Sequence, residues 1–124
     1  MSPRPRTSRL RQLLLRLHGE GAVLLEVFLA PEPLVRGSVY ELRRRCGRPS
    51  CRCARGRLHP VMVLSASEQG RTRLRTIPED RLAKLRELTQ RYRRFRRARA
   101  RLVGVQRAML AVIDQLEAAR RKEE

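Results

Sequence analysis

Large side chains are scarce in this 124-residue sequence, which has no tryptophan and only two tyrosines and two phenylalanines. They are Phe28, Tyr40, Tyr92 and Phe95. A small chain with so few aromatic residues builds a limited hydrophobic core and often needs a metal, a disulfide or a partner to stabilise its fold. Long apolar runs are also absent, since charged residues such as Arg16 and Glu26 interrupt the N-terminal apolar stretch. We therefore expect no membrane-spanning segment.

Acidic residues are few, at 12 against 30 lysines and arginines, and the formal net charge is +18. All the basic residues except Lys84 and Lys122 are arginines. Such an excess of positive charge attracts polyanions. The composition predicts nucleic acid, either DNA or RNA, as a partner ahead of an anionic membrane surface.

Cysteine is scarce too, and its number, three, is odd. No secretory signal is apparent, because an amphipathic segment precedes the apolar residues 22–30. We expect a reduced, cytoplasmic protein.

All three cysteines fall in one turn-rich segment, CGRPSCRCARGRLH, at residues 46–59. Cys46, Cys51, Cys53 and His59 follow the spacing Cys-x4-Cys-x-Cys-x5-His, which offers three thiolates and an imidazole. This is the ligand set of a Cys3His zinc site, and a segment with almost nothing apolar to bury needs such an ion to fix its shape. We predict a structural zinc ion here.

Other interpretations of the segment stay open. Cys-x-Cys is a less usual ligand pair than Cys-x2-Cys, and His59 is also compatible with an ordinary turn residue. The cysteines could be free thiols, a redox disulfide, or ligands of an iron–sulfur cluster. The other histidine, His18, is expected to be an ordinary residue at a helix end.

The N-terminal region is predicted to start with a loose basic arm over residues 1–6. The spacing of Leu10, Leu13, Leu14 and Leu17 then predicts a short helix that starts at residue 7 or 8 and ends at about residue 17. We expect Ser8 to cap that helix, and Gly19 with Gly21 to end it. For residues 22–30 the pattern fits a helix and a buried strand equally.

The middle of the chain is predicted to form an antiparallel sheet of about three strands. Residues 37–45 alternate as a strand does, and residues 61–66 and 71–77 form a β-hairpin with Gly70 in its turn. Arginines and the residues between them alternate along residues 71–77, so one face of that strand is expected to be basic.

From Pro78 to about Arg121 we predict one long amphipathic helix, with a kink or hairpin break near Gly104 as the alternative. One apolar row recurs every seven residues: Leu88, Phe95, Leu102, Met109 and Leu116. The second row consists of Leu85, Tyr92 and Ile113, with the polar residues Arg99 and Gln106 at its other two positions. The third row consists of Ala98, Val105, Val112 and Ala119. The stripe resembles that of a coiled coil and suggests pairing through residues 85–116, with a second copy or another protein.

The predicted fold is therefore α+β, with an N-terminal helix, a small antiparallel sheet around a cysteine-rich knuckle, and a long C-terminal helix. We divide the chain into residues 1–33 (basic arm and helical segment), 34–78 (cysteine-rich hairpin knuckle) and 79–124 (long amphipathic helix).

Residues from about 34 to 116 resemble a family of short bacterial and archaeal proteins of unknown function. The resemblance rests on GSVYELRRRCGRPSCRCARGRLH, a hairpin with a glycine turn, IPED, and a helix containing RYRRFR. The family pattern is approximately G-S-[LV], C-G-x-P-x-C-x-C-A, H-G-P-Y, a β-hairpin, and a helix with N-Y-R-R-[FL]. Members often lie near transposase or other mobile-element genes, which implies an accessory role in a mobile element.

The specific part of this resemblance is the C-G-x-P-x-C-x-C-A core. The matching residues are Cys46, Gly47, Pro49, Cys51, Cys53, Ala54, His59, Tyr92, Arg93, Arg94 and Phe95. The chain departs from the pattern after His59, where residues 60–62 replace Gly-Pro-Tyr, and at residues 90–91, where the family usually has an asparagine before the tyrosine.

Three groups of arginines are expected to contact phosphates, because the guanidinium fork donates paired hydrogen bonds and keeps its charge. The group around the cysteines is Arg43, Arg44, Arg45, Arg48, Arg52, Arg55 and Arg57. The hairpin group is Arg71, Arg73 and Arg75, and the helix group is Arg93, Arg94, Arg96 and Arg97. Tyr92 and Phe95 lie on the apolar stripe and are expected to be core residues rather than base-stacking platforms.

The combined pattern predicts a small zinc-stabilised nucleic-acid-binding protein. A protein-interaction module acting through the long helix is the alternative. We do not expect an enzyme, since no phosphate loop or nucleophile motif occurs and four metal ligands suggest a closed site. The sequence contains no helix-turn-helix or RNA-recognition signature, so we do not predict sequence-specific binding.

Overall fold

A computed structural model describes residues 5–122. Its elements are α1 (Pro5–Leu29), β1 (Ser38–Arg44), a short 3-10 helix (Arg52–Arg55), β2 (His59–Glu68), β3 (Arg71–Thr76) and α2 (Glu79–Arg120). Along the sequence, the three strands of an antiparallel sheet lie between the two long helices, and the cysteine segment lies between the first two strands. The predicted α+β fold is confirmed.

The chain divides into two compact units. Within the described residues, a helical unit comprises residues 5–31 and 94–122, and a sheet unit comprises residues 32–93. Helix α2 belongs to both units, because the boundary falls within it. The three-segment division drawn from the sequence remains a prediction.

The predicted stop at Gly19 and Gly21 is wrong, because α1 continues through both glycines to Leu29. Residues 22–29, for which the pattern allowed helix or strand, are helical. Each glycine costs a helix about 1 kcal/mol relative to alanine, but packing at the end of α1 offsets that cost. There the half-buried ring of Phe28 meets that of Phe95 edge to face, with centroids 4.9 Å apart, and such an aromatic pair contributes about 0.5–1.5 kcal/mol beyond the area that it buries.

The predicted N-terminal arm and cap also need revision. Residues 1–4 lie outside the described part of the chain, whereas Pro5 and Arg6 already belong to α1. Ser8 is inside the helix, so the prediction that it caps the N-terminus is wrong. Proline suits a first helical turn, where its missing N–H costs no hydrogen bond.

In the helical unit, α1 and the second half of α2 run antiparallel. Phe28 meets Phe95, Glu20 pairs with Arg101, and Gly21 lies near Val105. Residues with higher numbers in α1 therefore contact residues with lower numbers in α2. The most deeply buried apolar residues of this unit are Leu10, Ala98, Val105 and Val112. The third predicted row of α2 is therefore the row most enclosed within the unit.

The sheet has the strand order β1-β2-β3, with both pairs antiparallel. The predicted hairpin is confirmed: β2 turns through Gln69 and Gly70 into β3, whose residues are all exposed. Because partners in the ladder share a sheet face, Arg71, Arg73 and Arg75 lie on the same face as Glu68.

The sheet unit also contains the first turns of α2. The Val35 N–H donates to the Leu88 carbonyl at 3.1 Å, and Arg91 donates to the Pro33 carbonyl at 3.2 Å. These bonds connect the segment before β1 to the helix. Val63 and Thr89 are the most deeply buried residues of this unit besides Cys53, and the Thr89 hydroxyl is satisfied by the Leu85 carbonyl at 2.8 Å.

Helix α2 is continuous, since Gly104 lies inside it and the alternative of a hairpin break there is wrong. Glu79 and Asp80 occupy its first turn, where a negative charge interacts favourably with the positive end of the helix dipole. Over residues 5–122, no helix combines the length and apolar character needed to cross a membrane.

Candidate metal centre

The two ends of the cysteine segment are brought together by the ladder of β1 and β2. Arg44, the last residue of β1, is the register partner of His59, the first residue of β2. Residues 45–58 therefore form a long loop whose ends are held at adjacent backbone positions. This closure places Cys46 beside His59, although thirteen positions separate them in the sequence.

Local hydrogen bonds then fold the loop back on itself. The Cys51 N–H donates to the Arg48 carbonyl at 3.1 Å, which closes a turn with Pro49 at its second position, where proline is favoured. The short 3-10 helix follows at once, with Cys51 as its N-cap. Its end is set by Gly56, whose φ of 106° lies in the left-handed region that glycine tolerates.

The donor atoms of Cys46, Cys51, Cys53 and His59 all lie within 4.8 Å of one another. The Sγ atoms of Cys46 and Cys53 are 3.4 Å apart, and the Cys51 Sγ is 2.9 Å from the His59 Nε2. A tetrahedral zinc ion with Zn–S bonds of about 2.3 Å separates its sulfur ligands by about 3.7 Å. The four predicted ligands therefore lie close enough to hold one metal ion.

The sulfur atoms have the environment of metal-binding thiolates. Cys53 is buried, at 1% exposure, and its Sγ accepts a hydrogen bond from the Cys46 N–H at 3.2 Å. Such bonds orient a ligating sulfur. A buried thiolate needs compensating positive charge, which a divalent ion supplies.

This geometry opposes two of the alternative interpretations, a disulfide and an ordinary turn-residue role for His59. All three cysteines are free, and the 3.4 Å between the closest sulfurs is far longer than a disulfide bond of about 2.05 Å. His59 lies within the cluster, which is not where an ordinary turn residue would be expected. The chemistry of the donor set, three sulfurs and one nitrogen, fits zinc.

An open cleft of about 610 Å³ lies against the cluster. Its walls include Arg44, Arg45 and Arg48 together with Cys46, Cys51, His59 and Val61, and no acidic residue of the described part of the chain lines it. Three of the predicted phosphate-binding arginines therefore share a cavity with three of the predicted metal ligands. The connection follows from the fold, since Arg44 ends β1 and Arg48 begins the turn that carries Cys51.

Other predicted arginines are paired with carboxylates. The Arg43 guanidinium lies 3.8 Å from the Glu41 carboxylate, and Arg73 and Arg75 both lie 3.4 Å from Glu68. Glu68 partly neutralises the basic face of β3. Glu68 was not predicted from the sequence. The predicted hairpin could have identified it, because its register places Glu68 opposite Arg71.

The remaining predicted arginines are exposed and lie in different parts of the chain. Arg52, Arg55 and Arg57 lie in or beside the 3-10 helix, and Arg71 begins β3. Arg93 belongs to the sheet unit, whereas Arg94, Arg96 and Arg97 belong to the helical unit. Nucleic-acid contact by the arginines and metal ligation by the cysteines and His59 remain predictions.

Residues 7–87 match the family described as a domain of unknown function (DUF6788). The chain belongs to this family. The match spans α1, the sheet, the cysteine segment and the first turns of α2. No curated protein and no solved structure matches the chain. The family membership agrees with the resemblance to an uncharacterised family and carries no activity with it.

Proposed function

We propose that this protein is a small, zinc-stabilised, strongly basic nucleic-acid-binding protein. One observation carries the proposal: within residues 5–122, a cleft without acidic wall residues is lined by three arginines and by three of the four candidate metal ligands. Arg44, Arg45 and Arg48 form no ion pair within the part of the chain that the structure describes. Phosphate groups are the natural counter-ions for such a cavity.

Zinc would have a structural role here. Cys46, Cys51, Cys53 and His59 would hold the ion, and four protein ligands close a tetrahedral site. The loop of residues 45–58 has few apolar side chains, so ligation would supply the free energy that fixes its shape and that of the adjacent cleft. Thiolate ligands of this kind suit the reducing cytoplasm in which we place the protein.

We also propose that the chain is not an enzyme. The four donors leave no open coordination position for a substrate or an activated water. One acidic candidate for such chemistry, Glu41, lies 3.8 Å from the Arg43 guanidinium. A zinc-dependent hydrolytic activity that disappears in a Glu41→Gln variant would overturn this part of the proposal.

The resemblance to proteins encoded near transposase genes suggests the process that this binding serves. We extend the proposal to an accessory role in a mobile element, with DNA as the ligand. The extension predicts tighter binding to DNA than to RNA of the same length at equal salt, and equal affinity for both would remove its support.

The test of the main proposal is affinity for short DNA and RNA duplexes and single strands, measured at several salt concentrations with zinc-loaded protein. Because phosphate contacts release counter-ions, the logarithm of the affinity should fall linearly with the logarithm of the salt concentration. An affinity unchanged between low and moderate salt would contradict the proposal.

A second candidate function, protein interaction through α2, is favoured by two exposed apolar residues. Leu110 is 61% exposed and Ile113 is 44% exposed. Ile113 belongs to the second predicted row, in which Arg99 and Gln106 are also exposed. Light scattering coupled to size exclusion tests this candidate: a dimer that a Leu110→Ser/Ile113→Ser variant converts to monomer would support it, and a monomeric wild type would oppose it.

A further inference from the structure

A second cavity in the sheet unit, separate from the cysteine cluster, is lined by hydroxyl groups. Its volume is about 340 Å³. Ser38 and Ser65 are register partners in β1 and β2, and Ser67 and Thr72 are partners in β2 and β3. Because ladder partners and alternate residues share a face, all four hydroxyls belong to the same face of the sheet.

Two arginines and a tyrosine complete this cavity. Arg36 comes from the segment before β1, and Tyr92 and Arg93 come from α2. No acidic residue lines the cavity, and neither Arg36 nor Arg93 is ion-paired in residues 5–122. Two uncompensated guanidinium groups beside four hydroxyl donors form an anion-binding environment.

The shape of this cavity depends on the absence of a side chain at Gly37. A Cβ atom at this position would lie 2.7 Å from the Ser65 carbonyl oxygen, and the φ of Gly37 is +147°. The chain therefore passes against β2 between Arg36 and Ser38 at a distance that only glycine allows. This close passage places Arg36 and Ser38 on the wall of one cavity.

We propose that this cavity binds a phosphomonoester group. A phosphomonoester carries a charge of about −1.5 to −2 and three strong acceptor oxygens, which matches two guanidinium groups and several hydroxyl donors. A phosphodiester carries a single charge and would leave one arginine uncompensated. The group would belong either to a free nucleotide or to the 5′ end of a nucleic-acid strand, and the site does not require the metal centre.

The direct test is a titration of zinc-loaded, ¹⁵N-labelled protein followed by nuclear magnetic resonance at constant ionic strength. The probes are inorganic phosphate, a nucleoside 5′-monophosphate, and a short oligonucleotide with a 5′-phosphate or a 5′-hydroxyl. We expect saturable shifts of the amides of Gly37, Ser38, Ser65 and Ser67. Shifts from the phosphorylated but not the hydroxyl oligonucleotide identify a strand end, and tighter saturation by the monophosphate identifies a free nucleotide.

Variants separate this site from general attraction by a basic protein. Arg36→Ala and Arg93→Ala should each weaken phosphate binding about tenfold, since each removes a charge-assisted contact. Arg120→Ala, which removes an exposed charge in the last turn of α2, should leave binding unchanged. Uniform, unsaturable shifts at arginine-rich segments, or equal binding by all three variants, would overturn the proposal.

Failure of this site and failure of the proposed function are distinguishable. A protein with its cleft arginines replaced (Arg44, Arg45 and Arg48 to Ala) should still bind phosphate at the Arg36 and Arg93 cavity. If phosphate binding disappears in that variant while its fold is intact, the anion site is the metal-centre cleft and not this cavity.

Discussion

Arg44 and His59 are partners across the antiparallel ladder of β1 and β2. The pair lies where the sheet ends and the cysteine loop begins, so it connects the arginine side of the cleft to the histidine side of the candidate metal centre. The sheet therefore acts as the scaffold of the site: it holds the first and last ligands near each other before any metal binds. This reduces the loop-closure entropy that metal binding would otherwise have to offset.

Replacing one ligand should remove the metal and the structure of the loop together. In a Cys51→Ser variant we expect zinc per chain to fall from about one to near zero, because a tetrahedral site needs all four donors. Metal content of protein purified without chelator measures this. Ser50→Ala, a change at the neighbouring exposed position, is the matched control and should keep its zinc. Full zinc retention by Cys51→Ser would contradict the assignment.

The cleft arginines should account for a defined share of nucleic-acid affinity. Replacing Arg44, Arg45 and Arg48 by alanine removes three phosphate contacts, so the slope of log affinity against log salt on DNA should become shallower by about 2.7. Binding curves at four or more salt concentrations give this slope.

A control with the same loss of charge is available for that experiment. Arg43, Arg73 and Arg75 each lie near a carboxylate. Their triple alanine variant should change the slope less than the cleft variant does. Equal slopes for the two triple variants would indicate that total charge, and not the cleft, determines binding.

The glycines within α1 should be replaceable by alanine with a gain in stability. At Gly19 an added Cβ has no neighbour within 4 Å, and at Gly21 it meets Val105 at 3.8 Å, an ordinary contact. Each change should raise the free energy of unfolding by about 1 kcal/mol, the difference in helix propensity. Urea denaturation measures this, and a loss of stability in Gly19→Ala would show that α1 does not continue through this position.

The helical unit should depend on Val105 far more than on Ile113. Val105 is 2% exposed, whereas Ile113 is 44% exposed. Val105→Ala should lower the free energy of unfolding by about 2 kcal/mol, from lost burial and the cavity left behind. Ile113→Ala should cost a small fraction of that in a monomer. Comparable losses in the two variants would place Ile113 in a buried interface.

One carboxyl at the end of α2 should titrate at lower pH than usual. A hydrogen bond from Arg121, and then its charge, lowers the pKa of Glu117 from its ordinary value. A lowered folded-state pKa stabilises the helix end above the ordinary pKa, and the contribution is lost as the pH falls through the lowered value. Carboxyl ¹³C chemical shifts follow this titration.

The variant for that measurement is Arg121→Gln, which should return the pKa of Glu117 to its ordinary range. Arg120→Gln at the neighbouring position is the control and should leave the titration of Glu117 in place. An unchanged titration in Arg121→Gln would contradict the pairing.

The sequence alone was enough for the order and type of most elements. Alternation predicted β1 and the hairpin, and the apolar stripe with Pro78 predicted α2, because these signals are local and are not opposed by tertiary contacts. The spacing of the cysteines and His59 also named the four residues that come together. Ligand identity is readable in this way because few side chains bind zinc.

The end of α1 and the surroundings of the site depended on tertiary structure. Gly19 and Gly21 oppose a helix locally, whereas contacts of α1 with α2, such as Phe28 with Phe95 and Glu20 with Arg101, favour its continuation. Likewise, Arg36 and Arg93 line one cavity although they are distant in sequence, and the pairing of Glu68 with Arg73 and Arg75 depends on the register of the hairpin. Propensity and spacing describe near neighbours, whereas burial and strand register determine which distant charges meet, and so which arginines remain available to a ligand.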